Sequence, residues 1–287
     1  MSKRERILKI IEYHGREAEA EFYRKIGEDP VYDEITWKNM RPFLPKGGWI
    51  LDAGGGAGAW SIRMTEETKC MVVLLDVTRD LLKTAKRKTT NNPVSKRVEV
   101  LDADIRSLPS ADMSFDFVLC EADPLSICGD PEKAAQELSR VLKPNGYLVL
   151  GVDSTLYRAF RMLSKGESLD SVLDFLQTGI SPAEDEAPFD SKSFTPVEII
   201  TLLRKNGLET TKIVGKPIGF GPHMLDAFVA GLPAKRLHGI FEKAGERKKL
   251  SRLLSKIYDD PYIAGIGSHL QVVAVKKQED AMLHDPN

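Results

Sequence analysis

The run ILDAGGGAG at residues 50–58 constrains the fold more than any other stretch of the chain. Trp49, Ile50 and Leu51 make a short apolar strand, Asp52 ends it, and Gly54, Gly56 and Gly58 leave no Cβ atoms to hold a ligand away from the backbone. A helix predicted from about Ala59 through Thr68 then points its positive end at whatever lies in the loop. This order predicts a nucleotide-like ligand at the carboxyl end of a strand. The spacing of Gly54, Gly56 and Ala59, with Asp76 roughly 20 residues on, also satisfies the dinucleotide fingerprint. The loop alone therefore leaves two classes of nucleotide cofactor open.

Strand and helix patterns alternate from residue 49 to about 152, which predicts a parallel sheet covered on both faces. Thr78 can cap a helix carrying Leu81, Leu82 and Ala85, and Asp130 with Pro131 can start another whose buried stripe is Ala134, Leu138 and Val141. Thr195, Pro196 and Glu198 supply a cap, a first-turn proline and a capping-box acid for a third helix. Its predicted stripe is Val197, Ile200 and Leu203, and Gly207 is its stop. TTKIVGKPI at 210–218 and HLQVVAVKK at 269–277 are predicted as the last two strands.

Five places in the first half resemble a class I S-adenosylmethionine-dependent methyltransferase, in the right order. Asp52, Gly54, Gly56 and Gly58 fit the pattern D-x-G-x-G-x-G; MVVLLD puts Asp76 at a strand end, LDAD puts Asp104 at the next, and FDFVLCEAD leads into Glu121. ELSRVLKPNGYLVLGV is similar to the family's helix, K-P-G-G-type turn and fifth strand, with Asn145 tolerating left-handed geometry where the family more often has glycine. The resemblance is to the ubiquinone-biosynthesis-like small-molecule group. It implies a Rossmann-like α/β fold, a seven-stranded, mostly parallel sheet with an antiparallel last strand, helices on both faces, and S-adenosylmethionine as cofactor.

The resemblance also implies site residues. Asp76 accepts both ribose hydroxyls and Val77 presses on the adenine. Asp104 accepts the adenine amino group beside the backbone of Ile105, and Glu121 with Ala122 lies near the methionine and methyl group. Asp52 positions the glycine loop, which borders the methionine and ribose. Structural roles compete: Asp76 could cap a helix with Thr78, Asp102 competes with Asp104, and Glu121 could be a solvated acid after a strand.

With 41 Lys and Arg against 42 Asp and Glu, the net charge of −1 offers no global field for nucleic acid or a membrane surface. No apolar run approaches the roughly 18 residues of a membrane span, and the charged start MSKRERILKII lacks the apolar core of a signal peptide. Cys70, Cys120 and Cys128 form no metal-ligand spacing and suit buried thiols in a reducing compartment, so a cytoplasmic location and no metal are expected.

The chain divides into a helical amino-terminal lid (1–46), the cofactor-binding core (47–152), an insertion (153–193), core continued (194–218), a second helical insertion (219–267), the last core strand (268–277) and a polar tail (278–287). The amino-terminal helix carries Ile7, Ile10, Ile11, Ala18 and Phe22 on its apolar side, and a second helix spans about Ile35 to Phe43. The lid and both insertions are expected to form a cap over a small-molecule methyl acceptor, with PAEDEAPFD (182–190) as an exposed loop. A catalytic base is sought in His223, His269, Tyr32 and Glu121, with His14 a further candidate. Residues 235–256 hold eight Lys and Arg against two Glu, but Leu237, Ile240, Phe241, Leu250, Leu253, Leu254 and Ile257 at helical spacing suit amphipathic cap helices. An RNA or protein methyltransferase using the basic 235–256 stretch, or an S-adenosylmethionine-binding protein with a regulatory role or a transfer other than methyl, are the alternative readings.

Overall fold

The computed structural model describes residues 3–19, 30–90, 92–93, 95–183, 187–216 and 264–278, with the single positions 245, 249 and 252. His223, Phe22 and most of the basic stretch at 235–256 lie outside the described residues.

Five strands run parallel through the first half: β1 (Trp49–Ala53), β2 (Met71–Asp76), β3 (Val98–Asp102), β4 (Phe115–Cys120) and β5 (Leu142–Asp153). Two short strands, β6 (Ile180–Ser181) and β7 (Ser191–Lys192), form a separate hairpin, and β8 (Leu208–Lys216) and β9 (His269–Lys276) complete the main sheet. The main sheet has the order β3-β2-β1-β4-β5-β9-β8, and β9 runs antiparallel to both neighbours.

The strands are apolar on both sides because both faces are covered. Successive residues Ile50 and Leu51 go to opposite cores. Leu51, Leu75, Val118 and Leu148 pack beneath α6 (Pro131–Val141) and α9 (Pro196–Lys205). Ile50, Val72, Phe117 and Val149 pack with Trp37 and Met40 of α2 (Pro30–Met40) and Met64 of α3 (Ala59–Glu67). Helix α4 (Arg79–Thr90) buries Leu81, Leu82 and Ala85, as its pattern predicts, and α1 (Lys3–Glu19) lies against it. A single turn, α5 (Pro124–Ile127), follows β4, and two cap helices, α7 (Thr155–Ser164) and α8 (Leu169–Thr178), follow β5.

Three local expectations change. The capping box of Thr195 and Glu198 forms, but α9 buries Ile199, Leu202 and Leu203, while Val197 is 73% exposed, because the capped first turn lies clear of the sheet. The K-P-N-G turn is absorbed into β5 as a bulge: pairing with β4 shifts register between Phe115 and Phe117, and Asn145 sits at φ 62°. The 182–190 loop ends on α1 rather than in solvent. Phe189 is buried and meets the Tyr13 ring edge-on at 5.4 Å, and Arg6 donates to Asp190 at 2.7 Å. An aromatic ring in that acidic loop and the apolar side of α1 each need a cover, and they supply it to one another.

All three cysteines are free and buried. No helix among the described residues is long and apolar enough to cross a membrane.

Candidate functional site

The parallel strands end on one side of the sheet, and a cleft of about 600 Å³ lies along those ends. The glycine loop is held by β2: the N–H groups of Gly54 and Gly55 donate to the Leu75 carbonyl at 2.8 and 3.0 Å, and Gly56 N–H donates to the Asp76 carboxylate at 3.0 Å. These amides are thus engaged inside the protein. What the loop offers a ligand is open space and the amino end of α3 behind it. Gly54 is required twice over, by φ 79° and because a Cβ there would strike the Pro124 ring. Gly58 caps α3 against Leu74, on the side away from the cleft.

Three carboxylates mark the ends of β1, β2 and the turn after β3. Asp52 is buried, accepts from the Ser61 hydroxyl at 2.6 Å, and is pushed up to about 6 by burial, with Asp76 adding to the rise and Ser61 opposing it. Asp76 accepts from Thr78 N–H at 2.8 Å as well as from Gly56; burial raises its pKa and these two donors restrain it. It therefore ties the loop to the start of α4 while still lining the cleft, so the capping role and the ligand-facing role coexist. Burial also raises Asp104, but Arg106, donating through Nε and Nη2 at 3.0 and 2.6 Å, more than reverses this and holds the carboxyl below its usual range. Asp102 pairs instead with exposed Arg79.

At the other end of the cleft the polar groups are buried together. Lys216 and Glu121, both fully buried, form an ion pair. Lys216 Nζ also donates to the Tyr32 hydroxyl at 2.7 Å and to Thr36 Oγ1 at 3.2 Å, and Gln271 Nε2 donates to Glu121 Oε2 at 3.3 Å. Asn39 Nδ2 holds Gln271 at 3.2 Å and is held in turn by Lys212 at 2.9 Å. Gly151 of β5 makes room for this cluster, since a Cβ there would lie 2.6 Å from Glu121 Oε1. Burial, with Glu121 adding, keeps the Tyr32 phenol well above its ordinary pKa.

His269 stands beside this cluster, its ring edge-on to Tyr32 at 5.9 Å. Its Nε2 lies 2.6 Å from Asp123 Oδ2 and 3.4 Å from Asp153 Oδ1. Burial lowers the imidazole pKa, but the two carboxylates outweigh it and leave a net rise. Asp153 is pushed up to about 6 by burial and by Asp123. Ala122 and Asp123 turn the chain here at φ 63° and 68°.

Asp52, Gly54, Gly56, Asp76, Val77, Asp104, Ile105, Glu121, Ala122, Tyr32, His269 and His14 all line this one cleft. No described residue of 154–193 contributes to its lining, whereas α1 and α2 do, through Ile7, Ile10, Tyr13, His14, Tyr32 and Asp33. Sequence reasoning missed Lys216, Gln271, Asp123 and Asp153. The available signal was a polar residue at an otherwise apolar strand position, as in HLQVVAVKK and TTKIVGKPI.

Residues 50–146 match the methyltransferase domain family. The ubiquinone/menaquinone biosynthesis C-methyltransferase of Klebsiella pneumoniae is 34% identical over 108 residues, 37% of this chain and 42% of that protein. The dimethylglycine N-methyltransferase of Parasynechococcus marenigrum is 31% identical over 106 residues, covering 37% and 38%. The chain thus spans about two fifths of the length of these curated relatives. Among solved structures, a SAM-dependent methyltransferase from Methanosarcina mazei superposes with TM-score 0.55 at 19% identity, covering 84% of this chain and 97% of that one.

The donor set fits such a cofactor: a carboxylate with lone pairs to spare at the end of β2, a Cβ-free loop, and a helix amino end in one cleft. With the strand order, the carboxylate at each strand end and the matched family, the chain carries a class I S-adenosylmethionine-dependent methyltransferase domain.

Proposed function

We propose that this protein transfers a methyl group from S-adenosylmethionine to a small-molecule acceptor held in the same cleft. The observation that carries the reading is the continuity of that cleft, from the carboxylate-tipped ends of β1 and β2 to the buried polar cluster around Glu121. Asp76 would take the two ribose hydroxyls on the lone pairs that Gly56 and Thr78 leave free. Val77 and the Ile105 backbone would enclose the adenine, with Asp104 accepting its amino group. Asp52 and the loop from Gly54 to Ala57 would border the methionine and ribose, with Gly58 supporting the loop from behind and Glu121 and Ala122 towards the methyl group.

When bound, this cofactor supplies a methyl group already activated on a sulfonium. The protein's task is then to align the acceptor and exclude water. Tyr32 and Glu121 suit positioning, because Lys216 neutralises the Glu121 carboxylate and both Tyr32 and Lys216 are locked by neighbours. The lining from α1 and α2 would close the cleft over the reactants. A small acceptor is supported by that enclosure, by a volume within the range of small-ligand sites, and by the likeness to a ubiquinone/menaquinone biosynthesis C-methyltransferase and a dimethylglycine N-methyltransferase.

Parallel calorimetric titrations with S-adenosylmethionine, S-adenosylhomocysteine and NAD test the cofactor half of this reading. Micromolar binding of the first two and none of the third is expected. Asp76→Ala should weaken it about 100-fold, the worth of two hydrogen bonds to a charged group at roughly 1.5 kcal/mol each. Binding of NAD alone, or unchanged affinity in Asp76→Ala, would overturn it.

A further inference from the structure

The topology brings three metal-ligating side chains, distant in sequence, to one point at the acceptor end of the cleft. Asp153 is the last residue of β5 and His269 the first of β9, and the two are direct cross-strand partners. Asp123 reaches the same point from the turn after β4. His269 Nε2 lies between the carboxylates, 2.6 Å from Asp123 and 3.4 Å from Asp153, and one ligand atom from each residue falls within 4.8 Å of the others.

Hydrogen bonding among these three leaves the cluster incomplete. One Nε2–H between two carboxylates can satisfy only one of them well. His269 is 6% exposed, yet its Nδ1 has no hydrogen-bond partner among the described residues, and the buried Oδ1 of Asp123 has none either. The nearby Lys216 ammonium does not supply the missing charge, because it is paired with Glu121. Partly buried carboxylates held this close together, at 19% and 27% side-chain exposure, are stabilised by a cation or a proton.

We propose that Asp123, Asp153 and His269 bind one divalent first-row cation whose open positions face the acceptor end of the cleft. One imidazole and two carboxylates suit Mn²⁺, Fe²⁺ or Zn²⁺ better than Mg²⁺, which prefers oxygen ligands and keeps its waters. Three protein ligands leave positions for an outside molecule, the arrangement of a reactive rather than a structural site. Asp123 and His269 line the cleft, so those positions open onto the space assigned above to the acceptor. The cation would favour an acceptor that presents an oxygen, which it would hold and polarise as a Lewis acid. Only this role in acceptor choice rests on the methyl-transfer reading; the site itself does not.

The test titrates chelator-treated full-length protein with MnCl₂ calorimetrically, without S-adenosylmethionine, and repeats it with ZnCl₂ and MgCl₂. One equivalent of Mn²⁺ or Zn²⁺ should bind, more tightly than Mg²⁺. Asp153→Asn should lose more affinity than the roughly 10- to 100-fold typical of groups behind the ligands, whereas Asp76→Ala should bind Mn²⁺ like the parent. If circular dichroism shows that Asp153→Asn does not fold, His269→Gln carries the same expectation. No binding of Mn²⁺ or Zn²⁺ by the parent, or unchanged binding in a folded ligand variant, would overturn the proposal. A protein that binds Mn²⁺ but no S-adenosylmethionine would instead sink the methyl-transfer reading and leave the metal site standing.

Discussion

The two ends of the cleft are assembled in opposite ways. At the cofactor end each carboxylate is satisfied from nearby in the chain: Asp76 by Thr78 and Gly56, Asp104 by Arg106, Asp52 by Ser61. At the end proposed for the acceptor the partners come from afar: Glu121 is held by Lys216 and Gln271, Lys216 by Tyr32, and His269 by Asp123 and Asp153. The partners at the first end lie within 20 residues of each carboxylate, so that end is a property of neighbouring strand-loop-helix units. The second end exists only when α2, β4, β5, β8 and β9 are all in place.

That contrast predicts where damage spreads. Lys216→Met leaves Glu121 as an uncompensated buried charge and should cost about 3–5 kcal/mol of stability in chemical denaturation. Glu121→Gln in the same chain should recover part of the loss. Equal losses from Lys216→Met and from the exposed Lys277→Met, whose partner Glu209 is also exposed, would show that the buried cluster is not cooperative.

The end proposed for the cofactor should also respond to pH. Asp52 has its folded-state pKa raised to about 6 from 3.8, mainly by burial. The folded protein therefore binds this proton more tightly than the unfolded chain. The stability it contributes is present below the unfolded value and is lost as pH rises through about 6. A cationic cofactor favours the ionised form, so S-adenosylmethionine affinity should fall about fivefold between pH 6 and pH 5, as the ionised fraction drops from about a half to about a tenth. Asp52→Asn should lose the inflection near 6, and an unaltered profile in that variant would move the titration to another group.

The smallest effect belongs to the lid. Arg6→Ala removes a partly exposed pair with Asp190, worth about 0–1 kcal/mol. Global stability should barely change, while amide exchange in residues 3–19 accelerates. Exchange unchanged there would show that the packing of α1 on Phe189 and α4, and not the Arg6 pair, anchors it.

Legibility in the sequence follows the same division. The glycine loop, the strand-end acids and the capping box of Thr195 and Glu198 are patterns within a few residues of one another, and each appears where its spacing places it. The stripe of α9 holds at Leu203 and Ile200 but fails at Val197, because periodicity sets which residues share a face, not how far along the helix that face meets the sheet. Phe189 was assigned to solvent with its acidic neighbours because nothing local reveals that α1 passes over it. His269 could be nominated as a lone histidine at a strand start, but its two carboxylates could not, since a single polar residue carries no record of its cross-strand partner.

The sequence by itself determined the parallel α/β core, the position of the glycine loop and the acids at the ends of β1 and β2. These depend on backbone geometry and short-range spacing that any fold of this chain must respect. Only the tertiary structure decided that β9 enters between β5 and β8, and with it that His269 meets Asp153, that Gln271 meets Glu121, and that Lys216 is buried as a counter-ion. The physical reason is that charges withdrawn from water must find partners in space, and the pairing of strands distant in sequence selects which partners are there.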